Sequence, residues 1–164
     1  MKVGNLARWL YRGRGRRRRP GRLARAMNAV SALAFGWGIA PNHLLTLEVR
    51  GRRTGRTIAF PLVMAMVDGE RYLVAMLGED AQWVRNVRAA GGRATIHCGR
   101  RQEVVLLEMP VSARPPIIKA FLQRAPGARP HIHVNKDAPL ESFAAIAASV
   151  PVFRIQTERR LRVR

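Results

Sequence analysis

Residues 44–67 read LLTLEVRGRRTGRTIAFPLVMAMV. Two apolar, β-rich runs flank a short segment in which four arginines alternate with two glycines and a threonine. Runs of high β propensity on both sides of a glycine-containing turn predict a hairpin. Because four like charges at a hairpin tip repel one another, either an anion or the surrounding water must compensate them.

The elements that follow this hairpin predict the fold. A third strand is expected over residues 71–77, after the turn residues Asp68 and Gly69. Further strands are predicted over RATIHC, QEVVLLEM and PVFRIQ, and helices over EDAQWVRNVRAAGG, ARPPIIKAFLQRAPG and PLESFAAIAASV. Consecutive hairpins without βαβ alternation favour an α+β fold, a small antiparallel barrel with helices packed around it.

Most of the positive charge lies at the ends of the chain. The 30 Lys and Arg residues against 10 Asp and Glu residues give a net charge of +20. Residues 1–25 hold ten of the basic residues and no acidic one, and residues 154–164 hold five arginines and one glutamate. We therefore divide the chain into a basic mobile arm (1–21), a barrel domain that begins with a helix over 22–38 (22–156) and a basic C-terminal tail (157–164).

Several classes of protein are disfavoured by composition. The single cysteine, Cys98, rules out an internal disulfide and favours a reducing compartment. No apolar run reaches the roughly 18 residues that predict a membrane span, and no secretory cleavage region is recognisable. A cytoplasmic location is expected, with attachment to the inner face of the membrane as an option. No C-x-x-C or H-E-x-x-H motif occurs, so no metal site is predicted.

The first candidate site is the arginine turn, residues 51–56 together with the preceding Arg50. Guanidinium groups bind phosphate and carboxylate in a bidentate manner, and glycines let a ligand approach the backbone closely. A ligand that carries a phosphate and several carboxylates would suit this turn. The alternative is a solvated hairpin tip, because exposed charge costs little free energy.

The second candidate site is the segment LVAMLGEDAQWVRNVRAAGG at 73–92. A helix is expected to start near Glu79 and Asp80, where free backbone N–H groups attract anions and ring oxygens. Trp83 and Asn86 are three residues apart and share one helix face, so an indole and an amide could frame a flat heterocycle. The alternative is that Trp83 belongs to the core and Asn86 makes a local hydrogen bond.

These motifs together resemble the deazaflavin (F420)-dependent nitroreductase and quinone reductase family of actinobacteria. The resemblance runs from about His43 to Ile155 and includes LTLEVRGRRTGRTIAFPLV and the W-x-x-N motif in GERYLVAMLGEDAQWVRNV. It implies a split β-barrel of the FMN-binding, flavin-reductase-like kind. It also implies a reductase that transfers hydride from reduced coenzyme F420 to a quinone, nitro or activated-alkene acceptor, with FMN as the alternative cofactor.

The resemblance also implies a binding site. The phosphate and oligoglutamate tail of the coenzyme would bind to Arg52, Arg53, Thr54, Gly55 and Arg56. The deazaflavin ring would lie near Met76, Leu77, Gly78, Trp83 and Asn86, with Pro61, Leu62 and Val63 along the neighbouring strand.

The sequence departs from the family pattern in three places, one of which is the high arginine content of the two tails. The loop before W-x-x-N is short, and it carries Glu79 and Asp80 close to the expected anionic coenzyme. The late region APGARPHIHVNKDAP contains no tyrosine, so His131 and His133 are the candidates for donating a proton to the acceptor. The alternative is that both histidines are loop residues without a role.

Other classes of function remain open. A non-catalytic protein on the same fold could bind a deazaflavin, a flavin or a lipid, and the tails could form a basic module for a membrane or nucleic-acid surface. Nucleic acid is disfavoured because no nucleic-acid-binding motif is present, whereas a basic arm beside an apolar helix suits anionic lipid. A small-molecule acceptor is the expected partner, and the sequence leaves both a monomer and a homodimer open.

Overall fold

The computed structural model describes residues 43–157 as a six-stranded antiparallel barrel. The predicted arm, the helix over 22–38 and the tail beyond Thr157 lie outside the described residues. The strands are β1 Leu44–Arg50, β2 Thr57–Val67, β3 Glu70–Val74, β4 Arg93–Cys98, β5 Arg100–Glu108 and β6 Val152–Thr157, and the helices are α1 Gln82–Ala89, α2 Arg114–Arg124 and α3 Leu140–Ile146. The barrel closes in the order β1-β2-β3-β6-β5-β4, which confirms the predicted α+β antiparallel fold.

The barrel interior is filled by every second residue of its strands. On β1, Leu45, Leu47 and Val49 are buried between partly exposed neighbours, the period-two pattern of a strand with one face in the core. Helix α1 covers one end of the barrel and adds buried side chains to the same core. Each fully buried large apolar side chain contributes about 1.5–3 kcal/mol. The members with no exposed surface include Leu47, Leu73, Val84, Val87 and Ile96.

A second core lies outside the barrel, where α2 and α3 pack on the outer face of β2, β3 and β6. Ala65 and Val152 contribute from the strands, and Ile118, Leu122 and Phe143 contribute from the helices; all five are fully buried. The barrel is therefore covered by α2 and α3 on one side and by α1 at one end.

Two predicted boundaries were wrong, and both lie between β3 and α1. The third strand was predicted to reach Leu77, but it ends at Val74. The N–H of Ala75 still donates to Pro151 O at 2.9 Å, and the chain then turns, with the N–H of Gly78 donating to Ala75 O at 2.9 Å. The helix was predicted to start near Glu79, but it starts at Gln82. The intervening residues form turns, with Gly78 at φ +77°, a backbone conformation that glycine adopts without steric cost.

The end of α1 agrees with the sequence. Gly91 and Gly92 follow the helix with φ values of +62° and +81°, as expected of glycines that terminate a helix. A Cβ atom on Gly92 would lie 2.6 Å from the carbonyl oxygen of Leu106, so only glycine fits between α1 and β5.

No helix within residues 43–157 has both the length and the hydropathy that crossing a membrane requires.

Candidate functional site

The arginine turn is closed by its own backbone. The N–H of Gly51 donates to Arg56 O, and the N–H of Gly55 donates to Gly51 O, each at 2.8 Å. Gly55 has φ +66°, and a Cβ atom there would lie 3.4 Å from the guanidinium Nη2 of Arg50. Glycine therefore allows both the turn conformation and the close approach of Arg50.

Helix α1 holds this turn in place through Arg52. The backbone N–H and the Nη1 atom of Arg52 donate to Oδ1 of Asn86 at 3.3 and 3.0 Å, and Nη1 also donates to Oε1 of Gln82 at 3.0 Å. Asn86 is only 2% exposed, so its side chain is fixed by packing as well as by these bonds. Two neutral amides thus orient Arg52 without cancelling its charge.

The positive charge of the turn is not compensated within the part of the chain that the structure describes. None of Arg50, Arg52, Arg53 and Arg56 forms a salt bridge with a carboxylate of residues 43–157. Arg53, Thr54 and Arg56 are exposed. The turn therefore presents guanidinium groups and a hydroxyl to solvent, and guanidinium groups bind phosphate strongly.

A cleft of about 340 Å³ separates the turn from the end of α1. The turn cleft, as we call it, has a basic wall and an apolar wall of small side chains. Its lining residues are Arg50, Gly51, Arg52, Gly55, Ala89 and Ala90.

The barrel is split along β2, next to the arginine turn. β2 pairs with β1 from Thr57 to Val63, but it pairs with β3 only from Met64 to Val67. Within residues 43–157, no strand occupies the second edge of β2 between 57 and 63. This edge is the unpaired edge of β2, and Pro61 fits there because proline lacks the N–H that a central strand would donate.

The predicted ring-binding residues flank this split. Because Met64 is opposite Leu73, a continued register would set Met76 opposite Pro61. The chain turns before that point, at Met76, Leu77 and Gly78, and a Cβ atom on Gly78 would lie 3.2 Å from Ser149 O. Leu77 is 62% exposed, which is unusual for a leucine of this domain. Of the predicted residues, Val63 and Met76 both pack against the second core.

Trp83 and Asn86, which were predicted to lie near the ring, both make contacts within the protein. Trp83 is 6% exposed and packs edge-on against Phe153 in the barrel core, with ring centroids 5.4 Å apart. Asn86 is occupied by Arg52 of the turn. The sequence predicted that both side chains contact a ring, whereas the described contacts attach one to the core and the other to the turn.

A cluster of ion pairs fixes the segment between β3 and α1. Arg88 on α1 donates to Glu79 at 2.6 Å and to both carboxylate oxygens of Glu108, at 2.9 and 2.6 Å. Asp80 pairs with Arg85. The two acidic residues that the sequence placed near an anionic coenzyme are therefore engaged with arginines of α1.

The same cluster reaches the second core. The buried Arg114 donates to Glu108 at 3.2 Å and to the carbonyl oxygens of Met109 and Ala147 at 2.9 and 3.0 Å. The pKa of Glu108 is lowered from its ordinary value, mainly by the hydrogen bonds that it accepts from Arg88. The pKa of Arg88 is raised in turn, first by its hydrogen bonds to Glu108 and then by its hydrogen bond to Glu79. This cluster links α1, β5 and α2.

His131 and His133 lie in the loop between α2 and α3. Both are exposed, and the buried Ile132 between them anchors the loop in the second core. Their side chains have no described hydrogen bond to the arginine turn or to the unpaired edge of β2. The neighbouring Ile132 belongs to the second core, against which Val134, Val63 and Met76 also pack.

Three groups at the site were missed from sequence. Gln82 is four residues before Asn86, so helical spacing places the two amide side chains next to each other on one face of α1, and this signal could have identified Gln82. Arg50 precedes the turn, but it was not among the residues that were predicted to bind the coenzyme. The contacts of Arg88 with Glu108 had no sequence signal, because twenty residues separate them.

Comparisons with known proteins agree with this architecture. The family model described as F420H(2)-dependent quinone reductase matches residues 21–114. No curated protein gives a significant match. Among solved structures, a conserved hypothetical protein from Mycobacterium tuberculosis is 16% identical with a TM-score of 0.53, over 79% of this chain and 80% of that one. A protein of unknown function from Agrobacterium tumefaciens is 14% identical with a TM-score of 0.52, over 77% of this chain and 54% of that one.

A structure described as an F420-H2 dependent reductase is 17% identical, with a TM-score of 0.48, over 70% of this chain and 94% of that one. The likeness to the Mycobacterium tuberculosis and Agrobacterium tumefaciens structures shows the fold, and the family match carries the biochemical information.

Proposed function

Because the chain belongs to the F420H(2)-dependent quinone reductase family, we propose that the arginine turn and the split along β2 form one binding site for coenzyme F420. The protein is an F420H2-dependent reductase, and the bound, reduced coenzyme supplies the hydride. The observation that carries the proposal is the position of the turn, which is fixed by α1 and adjoins the unpaired edge of β2.

The arginine turn suits the phosphate end of the coenzyme. Arg52, Arg53 and Arg56 supply guanidinium groups, Thr54 supplies a hydroxyl, and Gly55 leaves room for a ligand. Since no described carboxylate neutralises these arginines, an anion does not have to displace an ion pair in order to bind them. Because Asn86 and Gln82 already orient Arg52, less conformational freedom is lost when a ligand binds.

The split suits the ring. Backbone N–H and C=O groups along an unpaired strand edge are available to a ligand, and a flat heterocycle with polar edge atoms can pair with them. We propose that Pro61, Leu62 and Val63 contact the ring from one side and that Met76, Leu77 and Gly78 contact it from the other. A strand rises about 3.3 Å per residue, so roughly 13 Å separates Pro61 from Thr57 at the end of the turn. The chain that joins ring and phosphate would bridge this distance.

The acceptor that we propose is a quinone, in keeping with the family description. Nitro compounds and activated alkenes are alternatives of the same chemistry, because each accepts a hydride at an electron-poor centre. The exposed Leu77 offers apolar surface beside the ring site on which a flat acceptor can pack. The participation of His131 and His133 stays a prediction, and solvent can supply the proton to an acceptor bound in an open split.

The decisive experiment is a fluorescence titration of the full-length protein with oxidised coenzyme F420, with FMN in parallel. We expect micromolar affinity for F420 and much weaker binding of FMN. Turnover of quinones with the reduced coenzyme would follow. Absence of F420 binding at low salt, with folded protein, would reduce the arginine turn to a solvated hairpin tip.

We also propose that the basic arm attaches the protein to anionic membrane surfaces, as a peripheral protein of the inner face. The support is the charge of residues 1–25, which hold ten basic residues and no acidic one. Each basic residue near such a surface contributes about 1 kcal/mol. Deletion of residues 1–21 should abolish co-sedimentation with phosphatidylserine vesicles and leave turnover of a water-soluble acceptor intact. Equal co-sedimentation of both forms would count against the arm as an anchor.

A further inference from the structure

Arg50 forms a wall of two neighbouring clefts. One is the turn cleft. The other, which we call the outer groove, also has a volume of about 340 Å³ and runs across the outer surface of β1, β4 and β5. The groove is lined on its polar sides by Arg50, Thr57, Arg93, Thr95 and Arg101, with Glu48 and Glu103.

Strand register explains why these side chains share one surface. Ile96 points into the barrel core, so Thr95 beside it points outward. Thr95 is opposite Glu48 on β1 and Glu103 on β5, and directly opposite residues of paired strands project to the same face. Arg93 is two residues before Thr95 on β4, and Arg101 is two residues before Glu103 on β5. Both arginines therefore project outward as well.

The groove carries an excess of positive charge. Three arginines face two carboxylates, and one of these, Glu48, lies 3.2 Å from the imidazole Nε2 of His97. Arg93 and Arg101 are exposed, and in residues 43–157 neither forms a salt bridge. Glu103 has no described salt bridge either. The groove thus offers separated guanidinium groups and threonine hydroxyls rather than one dense anion site.

The family resemblance assigns the oligoglutamate tail of the coenzyme to the arginine turn; we propose that this tail instead continues from the turn cleft past Arg50 and binds in the outer groove. This inference rests on the proposed function, because it requires the phosphate end to lie at the arginine turn. An extended tail presents carboxylates at intervals along a polar backbone, which matches arginines spread over three strands better than a single phosphate does. The groove would therefore distinguish long-tailed from short-tailed forms of the coenzyme.

The test is a fluorescence titration of the full-length protein with two forms of F420, one with a single glutamate and one with several. The wild type should bind the long-tailed form more tightly. Arg93→Ser and Arg101→Ser should each weaken binding of that form by about two- to fivefold, as expected of exposed charge pairs, and leave the short-tailed form unchanged. Arg100→Ser is the matched control, because this exposed arginine precedes Arg101 on β5 and projects to the opposite face.

A gain of affinity provides a second test that damage to the fold cannot mimic. Glu103→Gln removes the groove's unpaired negative charge, so it should tighten binding of the long-tailed form by about two- to fivefold without affecting the short-tailed form. Equal affinity of the wild type for both forms, or equal weakening of both by Arg93→Ser and Arg101→Ser, would overturn this inference while the coenzyme site stands. Binding of neither form would overturn the proposed function and this inference with it.

Discussion

The backbone N–H and the guanidinium Nη1 of Arg52 both donate to the Oδ1 atom of Asn86, at 3.3 and 3.0 Å. One carbonyl oxygen on α1 thereby fixes both the position of the turn and the direction of its first arginine side chain. Its effect on binding can be measured, because Gln82 offers Arg52 a second, more exposed acceptor on the same helix.

We expect Asn86→Ala to weaken binding of F420 by about tenfold, the size of one lost hydrogen bond to a charged group. Gln82→Ala should have a smaller effect, because Arg52 then keeps both bonds to Asn86. Fluorescence titration gives the dissociation constants, and thermal unfolding checks that both variants are folded. Wild-type affinity in folded Asn86→Ala would show that this bond does not orient Arg52 for the ligand.

Arg53 tests the charge of the arginine turn directly. Its side chain is exposed and has no carboxylate partner in the described part of the chain. Arg53→Glu reverses this charge and should weaken binding of F420 at least tenfold, which corresponds to about 1.4 kcal/mol. Arg100→Glu makes the same change at another hairpin and should alter the affinity little. Equal effects of the two variants would indicate a general electrostatic influence rather than a site.

Gly92 tests how closely α1 packs on the barrel. A Cβ atom there would meet the carbonyl oxygen of Leu106 at 2.6 Å, at a φ of +81°. Gly92→Ala should lower the free energy of unfolding by about 2–4 kcal/mol, since clash and backbone strain add. Gly99→Ala is the control, because Gly99 has a similar φ of +72° but open space around its Cα, and it should cost only about 1–2 kcal/mol. Equal losses in a urea denaturation series would mean that the contact with Leu106 relaxes freely.

The sequence predicted those features that depend on neighbours in the chain. The hairpin around the arginine turn and the end of α1 at Gly91 and Gly92 follow from local propensity, and both are present. The split along β2 could not be predicted, because it arises where the chain turns after Ala75, with the N–H of Gly78 donating to Ala75 O, instead of continuing beside β2. Helical spacing correctly placed Trp83 and Asn86 on one face, but it could not show which neighbours that face would meet.

The cluster of Arg88, Glu108 and Arg114 makes stability depend on pH. The hydrogen bonds from Arg88 hold the pKa of Glu108 below its ordinary value near 4.5. A carboxyl whose pKa is lower in the folded protein stabilises the fold above its unfolded-state pKa. That contribution is lost as the pH falls through the folded-state pKa.

We therefore expect Glu108→Gln to lower the free energy of unfolding by about 1–3 kcal/mol at neutral pH, because Arg88 and the buried Arg114 lose their shared carboxylate. The difference from wild type should stay constant down to about pH 5 and shrink below it, as the wild-type carboxyl takes up its proton. Urea denaturation of both proteins between about pH 3 and about pH 7 measures it. Glu103→Gln, at an exposed glutamate without a described partner, should show no such dependence. A difference between Glu108→Gln and wild type that is the same at every pH would mean that packing of the side chain, and not its charge, stabilises this corner of the barrel.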